Sequence, residues 1–492
     1  MTKKWWSSEE ITVDLFAGGG GASKGIRMST GRDPDIAINH DEIAIAMHRA
    51  NHPGTKHYID DIWKVQPLDA TQGRPVGLLW ASPDCKHFSV AKGAALFRSK
   101  EIRALAWVVI KWAKTVKPRL IILENVSEFR TWGPLDSEGR IKKDQKGKIY
   151  NVFLWQLRKL GYHIETKDLA ACDYGAPTTR KRFFLVARCD GIPIEWPSVT
   201  HGSSPGLLPY RTAADIIDWS IPCPSIFERK KPLVEKTLLR IAKGIQRYVI
   251  ETSHPFILPD IRQTDRAVIP HIQRQFGMGV GHSADSPIGT ITAGGFGKTA
   301  LVSAFLIKYY GGVVGHTTDR PIGTITSIDH HALVSSHLIK LRGTCRDGQS
   351  VSSPVPTVTS GGTHIGEVRC FLQKYYSRGG PGQSLNDPVH TLPTKDRMGL
   401  VTVMVHKEPY VIADIGMRML SPRELFRAQG FSDGYQIDIE VNGRRITKTD
   451  QVRMCGNSVC PPIAKALVEA NYECPLRDTV NSKFKEKLEV RG

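Results

Sequence analysis

A short apolar run, Ile11-Thr-Val-Asp-Leu-Phe16, breaks directly into four glycines, Gly18 to Gly21. A strand that ends in glycines lets a ligand approach the backbone closely at the carboxyl edge of a sheet. A helix-like stretch follows, then a second strand near Asp35-Ile-Ala-Ile-Asn39. Asp41 to Ala50 has helical character and ends at Pro53-Gly54. Val76-Gly-Leu-Leu-Trp80, Leu120-Ile-Ile-Leu123 and Phe183-Phe-Leu-Val-Ala187 read as further buried strands, with a basic helix-like stretch from Ser99 to Val116. Strands alternating with helices predict an α/β fold with an open, mainly parallel sheet covered on both faces.

The polar residues at the ends of these strands fall into order. Ser82-Pro-Asp-Cys-Lys-His-Phe-Ser89 follows the strand Val76 to Trp80, so Cys85 is expected in a crevice at the sheet's edge rather than in the core. Glu124 ends the next strand, and adjacent parallel strands would bring it beside Cys85. A thiol and a carboxyl group there suit attack on an electron-poor ring. Thr179-Arg-Lys-Arg182 leads into the strand at Phe183, placing Arg180 and Arg182 on one face, where they can hold a phosphate or carboxylate.

Beyond about residue 190 the texture changes. Gly, Pro, Ser, Thr and His become frequent, and helical periodicity is confined to Leu233 to Tyr248. Pro287-Ile-Gly-Thr-Ile-Thr292 recurs as Pro321 to Thr326, Pro354 to Thr359 and Pro388 to Leu392, about every 34 residues. Phe305-Leu-Ile-Lys, His337-Leu-Ile-Lys and Phe371-Leu-Gln-Lys extend the match, which suggests an array of hairpin-like β modules. Whether each repeat serves one contact or is an evolutionary relic stays open. Helical signals return after about residue 410: Ser421-Pro-Arg-Glu424 is a capping-box pattern for a helix stopping at Gly430, and Gly456-Asn-Ser-Val459 precedes a helix from Pro461 to Glu469.

The formal net charge is +19 and the pI about 9.5, a basic excess that suits a polyanion such as nucleic acid. Lys86, Lys92, Arg98, Lys100, Arg103, Lys111, Lys114, Lys117 and Arg119 are opposed only by Glu101, and Gly93 permits loop movement. Nine widely spaced cysteines without a C-x-x-C pair argue against a disulfide framework or zinc cluster, and suit a reducing cytoplasm. No run reaches the roughly 18 to 20 apolar residues of a membrane span, and the first residues lack a signal peptide's apolar stretch. The histidines between His254 and His406 lack the spacing and acidic company of a metal site, so no metal is expected.

Taken in order, these segments resemble the cytosine-C5 DNA methyltransferase family over most of the chain. The family's glycine motif is matched by Asp14 to Gly21, its second motif by Asn39-His40-Asp41, its third by Asp61-Ile62, and its Pro-Cys loop by Pro83 to Ser89. Glu124-Asn125-Val126 stands for its Glu-Asn-Val motif and Arg180 with Arg182 for its Gln-x-Arg-x-Arg motif. Arg418 to Phe431 resembles the ninth motif and Gln451 to Val459 the tenth. The resemblance implies a Rossmann-like, class I S-adenosylmethionine-dependent methyltransferase sheet with a β-rich inserted target-recognition domain. Its catalytic domain is expected over residues 1–195 plus 410–480, the recognition domain over 196–409, and a flexible tail over 481–492.

The resemblance further implies Cys85 as the nucleophile, with Glu124, Arg180 and Arg182 as its catalytic partners. S-adenosylmethionine is expected against Phe16, Ala17, Gly18, Gly20, His40, Asp41, Asp61, Ile62, Pro83, Asn457, Ser458 and Val459. The implied substrate is a cytosine flipped out of double-stranded DNA by a monomer in the cytoplasm, near the nucleoid, as in restriction-modification systems. Three positions depart from the pattern. Pro83-Asp-Cys-Lys86 replaces Pro-Pro-Cys-Gln, His40 stands where a ribose-binding Glu is usual, leaving Asp41 or His40 for that contact, and Thr178 replaces the Gln before Arg180. An RNA substrate, or a DNA-binding protein of this fold that has lost catalysis, are the competing readings.

Overall fold

A computed structural model of the chain describes residues 9–83, 104–137, 140–227, 229–250, 257, 266–274, 281–291, 299–308, 337–340, 349–350, 365–367, 372–374, 398–400, 402–405 and 408–472. They divide into two units: residues 1–220 with 284–299 and 419–492, and residues 221–283 with 300–418.

The first unit is built on a seven-stranded sheet of β1 (Ile11–Leu15), β2 (Ile36–Asn39), β3 (Lys56–Ile59), β4 (Val76–Ala81), β5 (Leu120–Asn125), β6 (His163–Ala170) and β7 (Lys181–Arg188), in the order β3-β2-β1-β4-β5-β7-β6. The first five strands run parallel. Alternate residues of the central strands enter two separate cores: Leu79, Ala81, Ile121 and Leu123 on one face, Leu78, Trp80, Leu120 and Ile122 on the other. Burial on both faces explains why these strands read as continuous apolar runs rather than as an alternating pattern. Helices α1 (Gly21–Thr30), α2 (Glu42–Asn51), α3 (Pro67–Thr71), α4 (Trp107–Thr115) and α5 (Lys148–Lys159) punctuate the strands.

The sheet is mainly parallel, as expected, with one strand reversed. β7 is antiparallel to both β5 and β6. Only residues 171–180 join β6 to β7, which is short of the dozen or more residues a parallel crossover needs. The antiparallel direction brings the start of β7 to the edge where β5 ends, a placement the site depends on.

In the second unit, α6 (Glu235–Ile245) continues into a π-helical turn, Gln246–Ile250. A five-stranded sheet has the order β16-β17-β10-β8-β9, formed by Thr402–Val405, Glu408–Met419, Thr299–Lys308, Arg266–Arg274 and His282–Ser283. Two short ladders join β11 (His337–Lys340) to β12 (Gln349–Ser350) and β13 (Ile365–Glu367), and β14 (Leu372–Lys374) to β15 (Met398–Leu400). The Leu-Ile-Lys copies thus fall on β10, β11 and β14. The Pro321, Pro354 and Pro388 copies of the other half-repeat lie outside the described residues.

The chain then returns to the first unit through α7 (Pro422–Ala428), a small β18–β19 hairpin (Glu440–Val441 and Arg444–Arg445), α8 (Lys448–Asn457) and α9 (Pro461–Asn471). Ser421 and Glu424 form the reciprocal capping box expected of Ser-Pro-Arg-Glu. Residues 196–220 and 284–299, read from sequence as part of the insert, group with the large sheet. The reason is backbone pairing: Thr179 donates to Ile288 O at 2.8 Å, Ile288 to Pro177 O at 3.0 Å, and Ala213 to Ser286 O at 2.8 Å. The first Pro-Ile-Gly-Thr copy is therefore bonded to the chain immediately before Arg180.

Candidate active site

Parallel strands β1, β2, β4 and β5 all end at one edge, where Leu15 is level with Ala81 and Ala81 with Leu123. Chain direction from β1 diverges here, to β2 on one side and β4 on the other, which opens a crevice at the strand ends. Glu124 and Asn125 lie opposite Phe184 and Phe183 at the start of antiparallel β7. Arg180 and Arg182, just upstream, are thereby delivered to the carboxylate.

Glu124 is buried and holds both arginines. Its Oε1 lies 3.3 Å from Arg182 Nε and 3.9 Å from Arg180 Nη2. Arg180 is fixed further by donating from Nη1 to Gly456 O at 3.1 Å and to Ile291 O at 3.5 Å. The guanidinium thus meets the Gly456 carbonyl in α8's last turn, where a cation is favoured. Asn125 donates from Nδ2 to Pro83 O at 3.1 Å, tying the end of β5 to the segment leaving β4. A small pocket is walled by Glu124, Arg180, Arg182, Phe184, Cys460 and Ile463. The Cys460 thiol is pushed up to about 12 by burial and donates to Gln429 Oε1 at 2.7 Å, so it is a neutral wall and not a second nucleophile. Cys85, with residues 84–103, lies outside the described residues.

On the other side of the crevice stands the glycine loop. Phe16, half-buried, takes a left-handed φ of 61°, a strained turn for a non-glycine residue. Asn39 Nδ2 donates to Ala17 O at 2.9 Å, and the buried Tyr435 hydroxyl donates to Gly19 O at 2.6 Å. Gly20 has a φ of +87°, and a Cβ there would lie 2.1 Å from the Tyr435 oxygen. By contrast, among the described residues a Cβ at Gly18 would meet nothing nearer than Asn457 O at 4.0 Å, so these pack the loop on one side and leave it open on the other.

The remaining expected cofactor contacts divide in two. Ser458 and Val459 are buried behind the loop, with Ser458 Oγ donating to Met454 O at 2.8 Å, so they support its glycines. Asn457 and His40 are exposed, as is Asp61 at the end of β3, while Ile62 and Pro83 are buried. Asp41 caps α2, accepting from Ile43 and Ala44 N–H, and pairs with Arg453. Burial pushes its carboxyl up, but Arg453 and those N–H donors outweigh it and hold it below the ordinary range. Both Asp41 oxygens are engaged, whereas the His40 side chain faces solvent.

Several contributors were not legible beforehand. Gln429 and Arg453 lie inside the ninth and tenth family motifs but with no role read for them, Tyr435 lies between those motifs, and Ile291 comes from the repeat region. Most of their partners are distant in sequence, 416 residues for Tyr435 and Gly19, 412 for Arg453 and Asp41 and 111 for Ile291 and Arg180, whereas Gln429 meets Cys455 and Cys460 only 26 and 31 residues on.

The model of C-5 cytosine-specific DNA methylases matches residues 11–216 and 334–473, well over half of the chain. Type II methyltransferase M.AgeI of Thalassovita gelatinovora is 28% identical over 197 residues, covering 39% of this chain and 42% of that protein. Type II methyltransferase M1.HphI of Haemophilus parahaemolyticus is 26% identical, covering 42% of this chain and 51% of its own length. The matches thus span about half or less of these two relatives. Among solved structures, a methyltransferase of Entamoeba histolytica covers 95% of this chain and 98% of its own at 13% identity and a TM-score of 0.45. With the described motif residues gathered at one sheet edge and the family model matched on both sides of residues 217–333, the chain belongs to the C-5 cytosine-specific DNA methylase family.

Proposed function

We propose that the chain is a DNA cytosine-C5 methyltransferase, with Cys85 as nucleophile and S-adenosylmethionine as methyl donor. The observation that carries this reading is Glu124 held by Arg182 and Arg180 at the end of the strand beside β4, the strand that leads to Cys85. The glycine loop fits the cofactor: among the described residues, open space lies over Gly18, and the buried His52 Nε2 beneath Gly20 has no hydrogen-bond partner. Phe16, Ala17, Gly18 and Gly20 would line its place, with His40 and Asp61 reaching it from the ends of β2 and β3. Asp41, Ser458 and Val459 hold that frame.

S-adenosylmethionine supplies an electrophilic methyl group on a sulfonium sulfur, to which cytosine C5 bonds as the methyl–sulfur bond breaks. C5 is unreactive in the aromatic ring. Bond formation between Cys85 Sγ and C6 breaks aromaticity and makes C5 nucleophilic. Glu124, donating its carboxyl proton to N3, offsets the negative charge that develops on the ring. Loss of the C5 proton and of the Cys85 sulfur restores the aromatic base. Arg182 orients the Glu124 carboxylate, and Arg180 locks that pair to α8. Duplex DNA is the proposed partner of a monomer working in the cytoplasm at the nucleoid, with the basic segment after Cys85 meeting phosphates. Among the described residues no helix is long and apolar enough to cross a membrane.

The test is a duplex carrying 5-fluorocytosine, on which the fluorine prevents the final elimination. A covalent protein–DNA adduct that requires both S-adenosylmethionine and Cys85 is expected. DNA bound without adduct would favour a binding protein of this fold, and adduct formation on RNA alone would shift the substrate.

A further inference from the structure

Beneath the glycine loop runs a line of side chains that the reaction above does not use. Asp14, in β1, is 1% exposed, and Ser23 on α1 donates to its Oδ2 at 2.6 Å. Ser23 Oγ also lies 2.8 Å from His48 Nε2, and His48 Nδ1 lies 2.8 Å from His57 Nε2. His48 is fully buried, whereas His57 is half-buried on β3, an edge strand of the sheet. Three short contacts therefore link a carboxylate at the root of the loop to the protein's surface.

The hydrogens fix the direction. Ser23 has one hydroxyl proton, and while Asp14 is ionised that proton goes to Asp14. His48 Nε2 must then donate to Ser23 Oγ, and His48 Nδ1 accept from His57 Nε2–H. The same contacts serve the opposite state with every bond reversed. A proton taken up at His57 Nδ1 lets His57 pass its Nε2 proton to His48 Nδ1. His48 passes its Nε2 proton to Ser23, and Ser23 its own to Asp14. One proton enters and no contact is lost. We propose that His48 is a positioning residue for the cofactor, passing a proton between His57 and Asp14 so that Asp14 is charged under a sulfonium and neutral under the thioether product. The inference rests on the cofactor reading above.

The surroundings suit a neutral relay. Burial lowers His48 well below the usual histidine value, with His52 and His57 adding to it, and burial brings Asp14 up to about 7 against the Ser23 hydrogen bonds. Other charged and titratable groups face the line from each neighbouring element. They are Lys24 and Arg27 on α1, Asp33 in the loop after it, Arg49 and His52 on α2, and Tyr435 from the C-terminal segment. His52 Nδ1 is taken by Asp33 at 2.7 Å, so His52 stands beside the relay rather than in it.

Calorimetric titration of the full chain with S-adenosylmethionine and with S-adenosylhomocysteine, at pH 6, 7 and 8 in two buffers of different ionisation enthalpy, tests the coupling. Donor binding should release a fraction of a proton near pH 7, and its preference over product should weaken by up to about tenfold per unit below that pH. Ser23→Ala should abolish both effects while retaining the unfolding transition. Ring-nitrogen NMR of the ligand-free protein should show His48 exchanging its Nε2–H tautomer for Nδ1–H as pH falls through neutrality. Equal, buffer-independent binding of both ligands, or one His48 tautomer from pH 5.5 to 8.5, would overturn the relay with the cofactor reading intact. No binding of either ligand at any pH would overturn the cofactor reading, and the relay with it.

Discussion

At the scale of single residues, the site is governed by one carboxylate between two guanidinium groups. Breaking a buried ion pair by removing one partner costs about 3 to 5 kcal/mol, because the remaining charge is left uncompensated. Glu124→Gln keeps the shape and removes the acid whose proton, given to N3, would offset the negative charge developing on the ring. Methyl transfer is expected to fall by about 10² to 10⁴-fold, and chemical denaturation to register a loss of up to a few kcal/mol; unchanged turnover would remove Glu124 from the mechanism. The buried histidines make a second residue-scale prediction. Burial lowers His57 to about 4, with Arg49 and His52 lowering it further, and holds His52 below its ordinary value. The unfolded chain therefore binds more protons than the folded one between about pH 4 and 6.5, so this contribution to stability rises with pH across that window and is complete above it. His57→Gln should flatten the acid limb of a thermal-melt series against pH. Asp14, shifted upward to about 7, works in the opposite sense, and Asp14→Asn should steepen the same limb.

At the scale of elements, the sequence was most readable where local chemistry decides. Ser421 caps α7 as its Ser-Pro-Arg-Glu pattern requires, and Glu424 also accepts from Asp218 N–H at 2.9 Å. Ser421→Ala should cost about 1 kcal/mol by denaturant titration. Strands β1, β2, β4, β5 and β7 were equally plain, since burial on both faces leaves a continuous apolar run, whereas the more exposed edge strands β3 and β6 carry no such run and were not legible as strands. Long-range pairing was not legible. Nothing near residue 181 announces that β7 runs antiparallel, yet this alone brings Arg180 and Arg182 to Glu124. Tyr435 is a similar case, pinning Gly19 from 416 residues away. Gly20→Ala would force a left-handed conformation costing about 1 to 2 kcal/mol, as well as meeting the Tyr435 hydroxyl. Donor affinity should fall more than overall stability; wild-type affinity would show that this loop does not hold the donor. The repeat region is divided by the same kind of contact. Its first copy pairs with Pro177 and Thr179, a role that periodicity could not separate from that of its sister copies.

For the whole molecule, the net charge of +19 sets the terms on which it meets a polyanion. Phosphate contacts release counterions, so log affinity for duplex DNA should fall linearly with log salt, and charge-neutral substitutions of Lys92, Arg98 and Lys100 should flatten the slope. Base readout is a separate matter, since a few side chains at base edges decide it while the basic excess only holds the duplex in place. The central claim is chemical, and labelled methyl transfer from S-adenosylmethionine to mixed-sequence duplex DNA, comparing the natural chain with Cys85→Ser, tests it most directly. Label recovered as 5-methylcytosine with the natural chain and lost with Cys85→Ser is the predicted result. Label that persists at cytosine C5 in the Cys85→Ser protein, or an absence of label on DNA when the cofactor is bound, would contradict it.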